Sequence, residues 1–260
     1  QAAHHGGAIY NALGHLTIKN SKLEDNSSAK GGGGGIYDRN GASMNIINTT
    51  LKGNSAEFGG GIFSSAYLTE IHGSTFESNS ANNTDGGGIY IHSSSTLDIS
   101  NSTLKSNVAQ NGGGVFLLGG AGFINVTLSE NRATISGGGV HARSNLKLYN
   151  TIIADSVSGG DCTLGSGGFM TGISYNNLIE GTASNACGLD DGTNGNIIGS
   201  DPDLRLFVGS PAYYTLGNNS PAIDAGNDTI CVASPVNNTS QNGVTRPQGA
   251  HCDIGAYEKQ

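Results

Sequence analysis

Apolar and polar residues alternate along this chain in runs too short for helices. Leu16-Thr17-Ile18, Met44-Asn45-Ile46, Leu97-Asp98-Ile99 and Leu146-Lys147-Leu148 each read as a strand with one face inward. Each run lies a few residues after a second phrase, seen most plainly in Gly86-Gly87-Gly88-Ile89-Tyr90. The branched residue of that phrase falls at positions 9, 36, 62, 89, 115 and 140, giving intervals of 27, 26, 27, 26 and 25 residues. A third phrase closes each unit: a large apolar residue with Asn three later, as in Leu23 to Asn26, Leu51 to Asn54, Phe76 to Asn79, Leu104 to Asn107 and Leu128 to Asn131. Such a period marks a repeat architecture.

Three strands of three to five residues with three tight corners use up roughly 25 residues. One such coil cannot bury its apolar side alone, whereas stacked coils about 4.8 Å apart pair each strand with its equivalent in the next coil, in parallel. A leucine-rich repeat would need a Leu-x-x-Leu-x-Leu pattern, which is missing. The sequence therefore predicts an all-β, right-handed parallel β-helix, the hand following the general preference for right-handed parallel crossovers. Residues 1–156 form six regular coils in this reading, and residues 157–260 shorter irregular coils and a C-terminal cap. Asn177-Leu178-Ile179 and Asn196-Ile197-Ile198 look like two such short coils.

Two Asn columns are expected to act as ladders at the corners. One is Asn26, Asn54, Asn79, Asn107 and Asn131; the other is Asn20, Asn48, Asn101, Asn125 and Asn150, broken by Gly73. A third column, Glu24, Lys52, Glu77, Lys105 and Ser129, alternates in sign from coil to coil, which favours stacking over a catalytic use of its glutamates.

Composition narrows the function. A net charge of −8 with no Lys/Arg cluster argues against nucleic acid. There is no apolar run of about 18 residues to span a membrane. The chain opens at Gln1 and enters a repeat within six residues, which reads as a processed chain whose first coil is uncovered and open to head-to-tail association with other copies. Cys162, Cys187, Cys231 and Cys252 lie outside the repeats and lack C-x-x-C spacing. Two disulfides are expected, Cys162–Cys187 and Cys231–Cys252 being the preferred of three pairings, and they imply an oxidising compartment. The sequons at Asn26, Asn48, Asn101 and Asn125 fit an exported chain.

Two resemblances point the same way. Gly6-Gly7-Ala8-Ile9 and Phe76-Glu77-Ser78-Asn79 resemble the GGA[ILV] and FxxN repeats of the polymorphic outer membrane protein family, over residues 1–156. Ser220 to Gly226 (Ser-Pro-Ala-Ile-Asp-Ala-Gly) and Arg246 to Glu258 are similar to the final segment of bacterial surface proteins of the choice-of-anchor Q type, over residues 177–260, with Asn219 where Gly is usual. The resemblance implies an exported, cell-surface β-helix and no settled enzymatic role.

Candidate chemistry is sparse. Glycoside hydrolysis needs two suitably spaced carboxylates, and Asp38, Glu57, Glu70, Asp85, Asp98 and Asp155 look scattered, with no two in one column of adjacent coils; Asp38 beside Arg39 comes nearest to a pair. The acidic loops at Asp190-Asp191 and Asp201-Pro202-Asp203 could offer oxygen ligands to calcium, but the spacing favours turns and capping, so no cofactor is expected. His4-His5 could hold adventitious metal, and the other histidines lack partners at ligand spacing. The aromatic column Tyr10, Tyr37, Phe63, Tyr90 and Phe116, ending in His141, should face outward as a stacked ladder or as a platform for sugar rings. The favoured reading is an extracellular or cell-surface structural or adhesive protein, partnered by its own copies or a surface glycan. The alternative is a carbohydrate-active lyase, hydrolase or binding module.

Overall fold

The computed structural model describes residues 5–82 and 84–260. The strands stack as a parallel solenoid with three long faces. The aromatic face is a seven-stranded sheet running from Ile9–Ala12 through Ile36–Arg39, Ile62–Ser64, Ile89–Ile91, Val115–Leu117 and Val140–Ala142 to Cys162–Leu164. Coils are numbered here by these strands. The broad face, also seven-stranded, runs from His15–Lys19 to Phe169–Met170, and the narrow face, eight-stranded, from Lys22–Glu24 to Ile197–Ile198. A four-stranded sheet from Ser55–Ala56 to Arg132–Ser136 closes the middle coils after the third corner.

Register follows the phrases: Ile9, Ile36, Ile62, Ile89, Val115 and Val140 pair in sequence along the aromatic face. From Ile36 onward these branched residues are fully buried, and with Met44, Ile46, Leu51, Phe76, Leu97 and Leu104 they fill one continuous core. Two glycines show why the phrase is glycine-rich. Gly33 sits at φ +69°, a left-handed corner that glycine adopts without steric cost. A Cβ on Gly34 would meet Gly60 O and Ser55 N of the next coil, so coils could not approach to strand spacing.

The disulfides are Cys162–Cys187 and Cys231–Cys252, the pairing expected from the sequence. The first ties coil seven to the turn after it, where Cys162 bridges to Ala186. The segment after Ser200 does not continue the stack. It forms an antiparallel hairpin, Leu204–Gly209 with Ala212–Leu216, and then an irregular run carrying a short helix, Asp228–Val232. This strap lies along the outside of the narrow face, back to coil three, where Thr75 Oγ1 donates to Ala212 O (2.6 Å).

The outward column of the narrow face explains the docking. It reads Lys22, Thr50, Thr75, Thr103, Thr127, and then Ile152, Leu178 and Ile197. The apolar end forms a second core with Leu216, Ala222 and Ile254 of the strap. The motif at the chain's end builds the strap itself. Arg246 is buried, donating to Glu258 Oε2 (3.1 Å), Asp253 O (2.8 Å) and Gly255 O (2.7 Å). Desolvation lowers its pKa to about 10 despite both carboxylates. The Glu258 carboxylate also accepts from the backbone of Gln248 and Asp253.

Candidate functional site

The two Asn columns behave differently. Asn26, Asn54, Asn79, Asn107 and Asn131 form an unbroken ladder in which each Nδ2 donates to the next Oδ1 at 2.9–3.0 Å. Each Oδ1 also accepts the backbone N–H of the Asn before it, at 3.0–3.1 Å. Asn20, Asn48, Asn101, Asn125 and Asn150 take left-handed corner positions, φ 44–54°, with Gly73 at +59° in the same column. Among the described residues no continuous ladder runs through them: one long rung joins Asn150 Nδ2 to Asn125 Oδ1 (3.5 Å), and the regular side-chain bonds between coils belong to the residue that follows. Ser21, Thr49, Ser74 and Ser102 are linked there, each backbone N–H donating to the next hydroxyl at 3.0–3.4 Å. From coil four onward the corner Asn side chains instead meet the strap: Asn101 Nδ2 donates to Thr239 O, and Asn150 Nδ2 to Asn227 O. Asn125 Nδ2 lies against Cys231 Sγ.

The rings of Tyr10, Tyr37, Phe63, Tyr90, Phe116 and His141 stack in order, with centroids 4.8–5.5 Å apart. Tyr10 is 47% exposed and Phe116 only 2%. Sugar rings bind to open aromatic faces, and here each inner ring face is covered by its neighbour. The column therefore takes the form of the stacked ladder, the first of the two arrangements expected from the sequence.

The charge column forms one of its expected contacts, Lys52 to Glu77 at 3.0 Å. Lys105 turns to Glu130 and lies over the rings of Phe207 and Tyr214 at 5.2 and 5.5 Å, pinning the strap. Burial pushes the Glu130 carboxyl up, but hydrogen bonds from Lys105 and Tyr214 outweigh it and hold its pKa below the usual range.

Asp38 is buried, accepting from Asn11 Nδ2 (2.7 Å) and Gly41 N (2.9 Å), so its role is to hold a turn and the pairing with exposed Arg39 does not arise. Of the acidic loops, Asp191 accepts from Ile198 N, Asp201 from Asp203 N, and Asp203 pairs with Arg205. Among the described residues no three His, Cys, Asp or Glu cluster as metal ligands. His5 stacks on Tyr37 at 4.3 Å, while His4 lies outside the described residues.

The structure brings together a carboxylate pair that the sequence left scattered. On the broad face Asn45, Glu70, Asp98, Gly122 and Lys147 occupy one outward column in successive coils. Glu70 and Asp98 are therefore direct neighbours, with Cβ atoms about 5 Å apart. With its amide oriented to satisfy both polar atoms, Asn45 Nδ2 donates to Glu70 Oε2 (2.8 Å). Partial burial raises the Asp98 pKa, Glu70 raises it further, and Lys147 opposes both. His72, whose pKa is lowered by burial, meets Ser100 Oγ at 3.0 Å beside the pair. Pro235 of the strap forms the other wall of a groove of about 170 Å³.

A solenoid of parallel strands stacked on a continuous core, with side-chain ladders at its corners, defines a parallel β-helix. The chain belongs to the family described as right handed beta helix region, whose profile matches residues 2–133, just over half of the 260 residues. No curated protein and no solved structure matches it.

Proposed function

We propose that this chain is an extracellular, cell-surface β-helix with a structural or adhesive role. The observation that carries the reading is that its main side-chain columns are spent on neighbouring coils: the Asn ladder, the hydroxyl ladder and the stacked rings all bond along the axis. What such bonding supplies is a stiff rod with long faces. Two disulfides suit an oxidising compartment. The resemblance to polymorphic outer membrane and choice-of-anchor Q proteins supports the same setting. Limited proteolysis of intact source cells, followed by electron microscopy of the untagged protein, tests it. Loss of the chain from intact cells, with rods or rod assemblies in the images, is the expected outcome. A chain protected from external protease overturns it. The same images read out association between copies.

A second reading, carbohydrate turnover, is favoured by Glu70 and Asp98 alone. Side-by-side carboxylates, one with a raised pKa, are the pair of group types that a retaining glycosidase uses as acid and nucleophile. Reducing-sugar release from neutral and acidic polysaccharides, lost in Glu70→Gln, supports that reading; no release from any of them sets it aside.

A further inference from the structure

The strap shows what the corner column binds. Asn101 donates to Thr239 O, Asn150 to Asn227 O and Asn176 to Ala225 O, while Thr75 of the adjoining column donates to Ala212 O. All four acceptors are main-chain carbonyls of an extended or turning segment. Asn150 Oδ1 also accepts Asn227 N (2.8 Å), so the one amide pairs with both backbone polar groups of Asn227. The strap ends its run at coil three. On coils one and two the same columns continue as Asn20, Asn48, Lys22 and Thr50, in register with the occupied positions. Among the described residues, the side chains of Asn20, Asn48 and Thr50 make no hydrogen bond. They line a cleft of about 550 Å³, walled on the far side by Ser210, Pro211 and Gln241–Gly243 of the strap.

We infer that this cleft is a docking site for an extended polypeptide segment of a partner protein, held through its backbone carbonyls as a continuation of the strap. Its span of two to three coils, about 10–14 Å, suits about three or four extended residues. Lys22 and His72 are its only ionisable lining groups, which favours a neutral or acidic segment. The lining has no Phe, Tyr or Trp on which a sugar could stack, which places a peptide ahead of a glycan. The inference does not depend on whether the rod is structural or catalytic.

The test uses the whole chain, immobilised, and a displayed library of peptides of about ten residues, long enough to cross the cleft. Enriched peptides are measured against the wild type and Asn48→Gly/Thr50→Val. Coil three already carries Gly73 at the Asn48 position, so the double variant preserves the corner, and an unchanged melting curve checks this. The expected result is an enriched peptide whose affinity falls at least about tenfold in the variant, in line with losing two hydrogen bonds. Failure to enrich any peptide overturns the inference. So does equal binding to both proteins, or binding of soluble oligosaccharides that is itself lost in the variant.

Discussion

Asn79 shows how much one side chain does in this fold. It is fully buried; its Nδ2 donates to Asn107 Oδ1 and Leu51 O, and its Oδ1 accepts from both nitrogens of Asn54. Asn79→Ala strands those partners in an interior without water. Each stranded group costs about 1–3 kcal/mol, so a loss of about 3 kcal/mol or more is expected in chemical denaturation. Asn26→Ala, at the half-buried end of the ladder, should cost less. The Glu70–Asp98 pair gives a pH-dependent counterpart. Asp98 has a raised pKa in the fold, so the native state holds its proton more tightly than the unfolded chain does. That contribution is complete below the unfolded pKa and is lost as pH rises through the folded one. Asp98→Asn should therefore stabilise the protein at pH 7, by about 0.5 kcal/mol as for like charges across strands. The gain should vanish below about pH 4, where an ordinary Asp is protonated. Thermal melts across that window check both sign and size.

At the scale of elements, the strap is held differently from the coils. Coils are joined by ladders; the strap is joined by side chains reaching its carbonyls, by the Ile152–Leu178 patch, and by its own disulfide. Replacing Cys231 and Cys252 with Ala should lower strap stability by about 3 kcal/mol, the loop-entropy value for a closure of this length. Hydrogen exchange should speed up at residues 204–260 while the amides of Asn54, Asn79 and Asn107 keep their protection. Exchange that rises equally in both regions would show one cooperative unit instead.

How legible these elements were depended on what repeats. The glycine phrase, the Ile/Val core column and the Asn26-to-Asn131 ladder recur in register, so stacking could be read directly. The Glu70–Asp98 pairing could not, because of Thr69. It occupies the inward position that holds Met44 and Leu97 in the neighbouring coils, and it bonds Ser64 Oγ at 2.7 Å instead of packing as an apolar residue. Coil three thus lacks the apolar phrase that would have fixed its register. The strap's course was equally hidden, since it depends on contacts such as Thr75 to Ala212, made across 137 positions of chain. One local sign was present: the outward column changes from Thr127 to Ile152 where the strap's apolar side lands.

For the whole molecule, the strap acts as a gauge of length. Its carbonyls meet side chains of coils three, four, six and seven at fixed places, so the number of coils between those places is set by the strap's own extension. A coil duplicated between Ile89 and Leu164 would shift every later corner by about 4.8 Å and leave Asn150 or Asn101 without its acceptor. Such an insertion should fold as a solenoid yet expose the strap to protease. Coils added ahead of Ile62 would leave these hydrogen bonds to the strap in place. In evolutionary terms the rod is free to lengthen at one end only, and its repeats should have been gained and lost there while the strapped portion kept its count.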